Sequence, residues 1–136
     1  EVGSEKFHEF IVNRFRQRVR RYTPLLEPLG LTYTQYIAMM VMWEHKSISV
    51  RDMGKLLFLD SGTLTPMLKK MEKAGWIQRK RSERDERMVI LTITARGEEL
   101  HDKAAEIPLK MTRCVTLEND EALQLYSLLN KMMKSF

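Results

Sequence analysis

Hydroxyl, glycine and cationic residues crowd one short part of this 136-residue chain. From Phe58 to Thr94 it reads FLDSGTLTPMLKKMEKAGWIQRKRSERDERMVILTIT. Ser61, Gly62, Thr63, Thr65, Pro66, Lys69 and Lys70 lie in its first half, and Arg79, Arg81, Arg84, Asp85 and Arg87 in its second. Small polar groups beside a dense set of cations suit the gripping of a polyanion such as DNA. Other chemistries find little support. No glycine-rich phosphate loop, nucleophile elbow or paired metal motif occurs, and His8, His45 and His101 lack both the spacing of a helical metal pair and neighbouring cysteines. The expectation is binding without catalysis, with no cofactor and no metal.

These residues need a scaffold, and the pattern around them predicts one. Leu64, Leu68 and Met71 recur at helical spacing for packing, while Gly62, Pro66, Lys69 and Lys73 fall on the opposite face. This helix is expected to start between Asp60 and Thr63 and to stop at Gly75, which can take the left-handed conformation after a helix. Pro66 is comfortable only in a first turn, so the helix either begins late or bends there. Strands are predicted over Ile77–Arg81 and Met88–Ile93, and the RSERDER between them is too charged to bury. A two-stranded ribbon with such a tip is a wing.

Upstream, Ser49 can cap a short supporting helix through about Phe58, with Asp52 in its first turn. The SISV before it reads as a short strand or turn. Thr32 with Gln35 forms a capping box for the apolar run YTQYIAMMVMWEH. Residues from Ser4 to Arg21 predict an amphipathic first helix ending before Pro24. Beyond Thr94, a long helix interrupted near Pro108 and a final helix are expected. The apolar residues of the last helix, Leu123, Leu125, Tyr126, Leu128, Leu129, Met132, Met133 and Phe136, cover more than one face, which suits packing against a second subunit.

Composition sets the outer limits. At 43% apolar residues the chain can bury one real core, so a single domain is expected. The net charge of +5 favours a polyanionic partner such as nucleic acid, and an anionic membrane surface satisfies the same arithmetic, so charge alone does not choose. No apolar run approaches the ~18 residues of a membrane span, and EVGSEKFHEF lacks the regions of a signal peptide, so a soluble cytoplasmic protein is expected. Cys114, the single cysteine, has no internal disulfide partner and suits a reducing compartment. The ten methionines, Met39, Met40, Met42, Met132 and Met133 among them, read as adaptable core rather than as an oxidation sensor.

Three segments carry a family resemblance: YTPLLEPLGLTYTQY at Tyr22–Tyr36, LFLDSGTLTPMLKKMEKAGWIQRKRSERDER at Leu57–Arg87, and LTITARGEEL at Leu91–Leu100. The chain resembles the MarR family of winged-helix transcription regulators over essentially its whole length. The resemblance is strongest to the branch holding the organic-hydroperoxide-resistance regulators and related staphylococcal regulators. It implies a mainly α, α+β fold in which one MarR-type domain spans residues 1–136. A winged helix-turn-helix would occupy about 32–94, with N- and C-terminal dimerisation helices at about 4–21 and 95–136. It implies a homodimer on double-stranded DNA, and a twofold dimer demands a palindromic operator with half-sites about 34 Å apart. Repression by occluding a promoter is the family default. By the same resemblance Ser61, Gly62, Thr63, Thr65 and Pro66 approach bases and phosphates, Lys69 and Lys70 add cationic contacts, and Arg87 enters the minor groove from the wing. Asp85 would orient Arg87, with Arg79, Lys80, Arg81 and Arg84 flanking the pair.

The chain departs from this pattern at the signal. In the peroxide-sensing members a reactive cysteine sits on the first helix, fourteen residues before the tyrosine matching Tyr22, and that position here is His8. Tyr22 and Tyr33, which match the tyrosines around that cysteine, are kept, whereas a further tyrosine is replaced by Val12. His8, Tyr22 and Tyr33 thus form a candidate pocket for a small-molecule effector. Cys114 lies near the region where two-cysteine members carry their resolving cysteine, and a thiol-based redox response through Cys114 is the alternative reading of control. A winged helix used only for protein contacts is a third.

Overall fold

The structure is a computed structural model that describes residues 3–112 and 116–134. The chain divides into two compact units, Glu1–Ala105 and Glu106–Phe136. The first unit opens with α1 (Ser4–Leu26), followed by a 3-10 turn over Glu27–Leu29. The helix runs past Pro24 instead of ending before it. Proline removes one backbone donor, but here it lies in the last turn, where the Glu27 N–H closes on the Thr23 carbonyl and the helix end buries Leu26. Gly30, at φ 74°, then turns the chain.

Helix α2 (Tyr33–His45) has the expected capping box: Thr32 Oγ1 accepts from the Gln35 N–H at 3.2 Å, and Gln35 Oε1 accepts from the Thr32 N–H at 3.0 Å. Its Tyr36, Ala38, Met39 and Met42 are buried, which makes it the centre of the core. Strand β1 (Ser47–Ser49), α3 (Val50–Leu57), α4 (Ser61–Lys73), β2 (Ile77–Arg81), β3 (Val89–Ile93) and α5 (Ala95–Ala104) complete the unit. The expected two-stranded ribbon is in fact part of a three-stranded antiparallel sheet in the order β1-β3-β2. Ile48 faces Leu91 across one ladder and Arg79 faces Leu91 across the other. Burial of Leu91 in the middle strand is the reason the SISV segment is strand and not turn.

Met39, Met42, Met53 and Met71 are fully buried with Leu64, Leu68, Ile77 and Leu91, so methionine does fill this core. Met40, Met132 and Met133 do not join it, being 47%, 40% and 45% exposed. Among the glycines, Gly97 in α5 has the least room for a side chain. A Cβ there would stand 2.3 Å from the Trp76 carbonyl and 2.7 Å from Ile93 Cγ1, and its own carbonyl accepts the Trp43 indole N–H at 2.8 Å.

The second unit holds α6 (Glu106–Thr112) and α7 (Asn119–Met133). The break expected near Pro108 falls at Ala105, because proline needs the first turn of a helix and α6 provides it. In α7 no described residue is buried, and Leu123, Leu125, Tyr126 and Leu128 stand in solvent in the single chain.

Candidate nucleic-acid interface

The interface is built on α3, α4 and the loop between β2 and β3. Ser49 Oγ accepts the Asp52 N–H at 3.0 Å and starts α3. Phe58 ends it in the left-handed conformation, at φ 56°, and the Leu59 N–H closes on the Gly54 carbonyl at 3.0 Å. A Cβ at Gly54 would lie 3.0 Å from the Leu59 carbonyl, a tight contact that a larger residue would have to relieve by a small shift. Asp60 is the cap of α4: its Oδ1 accepts the Thr63 N–H at 2.8 Å, and this backbone bond holds its carboxyl below the usual value. The helix therefore begins at Ser61, and Pro66 sits inside it, beyond the first turn. Burial of Leu64, Leu68 and Met71 on the other side supports the helix through that residue.

At the far end, the Trp76 N–H reaches the Met71 carbonyl and the Gly75 N–H the Glu72 carbonyl, a Schellman closure with Gly75 at φ 85°. The outer face of α4 carries Ser61, Gly62, Thr63, Pro66, Lys69 and Lys70, all exposed, with Thr65 half-buried. The fold does not demand a glycine at Gly62, where a Cβ would meet only Asp60 Oδ1, at 3.4 Å.

The wing is tied by its own backbone. Ser82 N–H donates to the Met88 carbonyl at 2.7 Å, and Met88 N–H returns to the Asp85 carbonyl at 2.9 Å. Asp85 Oδ1 accepts the Arg87 backbone N–H at 3.0 Å. The contact between Asp85 and Arg87 thus runs through the main chain. A carboxylate two residues before an N–H closes an Asx turn more readily than it reaches the end of a long side chain.

The wing arginines divide into two groups. Arg79 donates through its backbone N–H to Glu72 Oε2 at 2.9 Å and through Nε to Glu72 Oε1 at 3.3 Å, joining β2 to α4. These bonds, the backbone one foremost, hold the Glu72 carboxyl below its usual value. Arg81 donates to the Glu86 carbonyl at 2.9 Å, bracing the loop from its base. Arg84 and Arg87 are exposed at the tip, and Arg84 donates its backbone N–H to Ser82 Oγ. Between wing and helices lies a cleft of about 950 Å³ whose lining includes Arg51, Lys55, Ser61, Asp85 and Arg87. Arg51 and Lys55 join this lining from the supporting helix, where their i, i+4 spacing is visible in the sequence.

The candidate effector residues are only partly assembled. Tyr22 and Tyr33 lie with ring centroids 5.1 Å apart, and Tyr22 and Tyr36 6.0 Å apart. Burial, then the neighbouring Tyr22, pushes the Tyr33 hydroxyl up. The ring series continues from Tyr36 to Trp43 at 6.2 Å and from Trp43 to His101 at 4.9 Å. His8 is not among them. It shares the uninterrupted α1 with Tyr22, and fourteen residues of helix put the two about 21 Å apart. Cys114 lies outside the described residues.

Comparison with known proteins agrees with this architecture. Residues 20–104 match the family described as transcriptional regulator SarA/Rot. The organic hydroperoxide resistance transcriptional regulator of Bacillus subtilis is 44% identical over 120 residues, covering 88% of this chain and 82% of that protein. The structure of reduced AbfR bound to DNA superposes with a TM-score of 0.72 at 32% identity, over 95% of this chain and 88% of that one. A mutant MarR from E. coli complexed with operator DNA gives 0.78 at 26% identity, over 92% and 91% of the two chains. With a family match across the reading head and a relative so similar along most of both chains, this protein belongs to the SarA/Rot transcriptional regulators and has the winged-helix fold of MarR.

Proposed function

We propose that this regulator reads a palindromic operator as a homodimer, acting in the cytoplasm as a repressor without catalysis, and that residues 1–136 work as one module. The observation that carries this reading is the outer face of α4: exposed hydroxyls, an unneeded glycine and two lysines stand beside a wing whose turn presents Arg87. In this reading Ser61, Gly62, Thr63, Thr65 and Pro66 meet base edges and phosphates in the major groove, and Lys69 and Lys70 neutralise phosphates. Arg87 and Arg84 serve the adjacent minor groove, while Arg79 and Arg81 act by holding the wing. The apolar, exposed Phe7, Phe10 and Phe15 of α1 and Leu123, Tyr126 and Leu128 of α7 supply the faces that pair two copies. Relatives bound to DNA or to operator DNA support the reading.

Footprinting on DNA flanking the protein's own gene, with and without organic hydroperoxide, tests it. Twofold-symmetric protection over two successive major grooves is expected. Protection without symmetry, or none, would refute the operator reading.

A second reading concerns control. The hydroperoxide-resistance relative favours an oxidative-stress signal, and Cys114 is the sole thiol in the chain. With His8 at the position of the family's sensor, that signal would enter through Cys114, by a disulfide to the equivalent residue of the second copy or to a small thiol. The remaining route is a small-molecule effector at the Tyr22–Tyr33 pair.

A further inference from the structure

Methionine sulfur takes up a peroxide oxygen where an oxidant can reach it, so packing decides which methionines are open to that chemistry. Met39, Met42, Met53 and Met71 are fully buried. Met88 is 39% exposed and directly follows Arg87 in the wing. Its main chain closes the wing, since its carbonyl accepts the Ser82 N–H at 2.7 Å and its N–H donates to the Asp85 carbonyl at 2.9 Å. Met88 also lines the cleft between wing and helices, where Val50, Phe58, Leu59 and Val89 supply carbon surface and Lys55 a cation. An organic hydroperoxide suits such a place, with its apolar body on the carbon surface and its oxygens toward N–H donors. Met40 on α2 is 47% exposed as well, but it belongs neither to the cleft nor to the wing.

We infer that Met88 is a site of oxidation by organic hydroperoxides, and that its sulfoxide weakens the hold on DNA by loosening the wing. The sulfur lone pair attacks the terminal peroxide oxygen, and the O–O bond breaks. That oxygen stays on sulfur, which is oxidised by two electrons, while the departing alkoxide takes the hydroperoxide proton and leaves as an alcohol. A flexible apolar side chain becomes a polar one, whose oxygen must be desolvated for it to remain in the carbon wall of the cleft. The side chain turns out to water instead, and the wing loses the apolar anchor beside Arg87. The inference rests on the operator reading for its effect on DNA. It gives an oxidative signal an entry that needs neither Cys114 nor a cysteine at the position of His8.

Treatment of the Cys114→Ser protein with cumene hydroperoxide, followed by peptide mass spectrometry and operator titration, tests the assignment with the thiol removed. Met88 should gain one oxygen before Met39, Met42, Met53 and Met71 do. Operator affinity should fall about tenfold over the two wings of a dimer, the scale of lost preorganisation, and methionine sulfoxide reductase should restore it. Met88→Leu in the same background conserves volume, so it should bind as its parent does before treatment and keep that affinity afterwards. Met40→Leu should leave the response intact. An unmodified Met88 under conditions that oxidise Met40 would overturn the inference, and so would an equal loss of affinity with and without Met88. Absence of operator binding by the untreated protein would instead remove the operator reading, while the mass measurement, which needs no DNA, still decides the oxidation site.

Discussion

Glu72, near the end of α4, accepts both the backbone N–H and the Nε–H of Arg79, the third residue of β2. One carboxylate therefore fixes the angle between the recognition helix and the hairpin that carries the wing. An anion near a helix C-terminus faces the negative end of the dipole, which is unfavourable. Its position is compensated by these two donors, so Glu72 is a device for alignment.

Replacing Glu72 by Ala should cost about 1 kcal/mol, because the pair is partly exposed and screened. The pH dependence has a definite sign. A carboxyl held below its usual value by the fold gives stability that is complete above the ordinary carboxylate value and is lost as pH falls through the lowered one. Thermal unfolding from pH 7 to pH 3 should show a flatter acid limb for Glu72→Gln than for wild type. Parallel limbs would mean that the pair contributes nothing to the acid response.

Gly97→Ala should be among the most damaging single-methyl changes. The added Cβ would meet the Trp76 backbone carbonyl and Ile93 at separations no real methyl tolerates. Helix α5 must then withdraw from the sheet, stretching the Trp43–Gly97 bond. Overpacking of this kind costs about 1–3 kcal/mol, and urea unfolding measures it. The same substitution at Gly62, where only Asp60 Oδ1 is near, should leave stability unchanged within about 0.5 kcal/mol. Equal losses at the two glycines would contradict this packing.

Cys114→Ser separates the two readings of control. If oxidation at Cys114 is the signal, peroxide releases wild-type protein from operator DNA and leaves the variant bound. Identical retention of both proteins under oxidant would exclude the thiol route and leave the tyrosine pair as the candidate site.

The elements were largely legible, the bounds of α4 included, whereas the end of α1 was not. Proline is a local penalty that a sequence shows plainly, but burial of Leu26 behind Pro24 exists only once the chain has packed. Sequence-local devices were read well: the Thr32–Gln35 box, the Ser49 cap and the Gly75 stop depend on residues three or four apart. Long-range pairings were not. Arg79 and Arg81 look like free cations in a charge run, and Glu72 becomes a partner only after the turn at Gly75 brings β2 back along α4. His8 and Tyr22 share one unbroken helix, so within a single chain the fourteen-residue count separates them along it.

The geometry of the wing makes Asp85 and Arg87 distinguishable by substitution. Asp85 acts through one oxygen that accepts the Arg87 backbone N–H, so Asp85→Asn keeps an acceptor in the same place and Asp85→Ala does not. Asparagine should hold operator affinity within about threefold, since the neutral Asx turn survives and the repulsion of a carboxylate beside phosphate is relieved. Alanine frees the turn and spreads Arg87 over many positions, with a cost of about 1 kcal/mol in binding from lost preorganisation. Arg87→Ala should lose more, about 1–3 kcal/mol, with the thermal midpoint unchanged because its side chain is in solvent. If Asp85 worked through the guanidinium charge, asparagine and alanine would weaken binding alike, and equal affinities for those two variants would reverse the assignment.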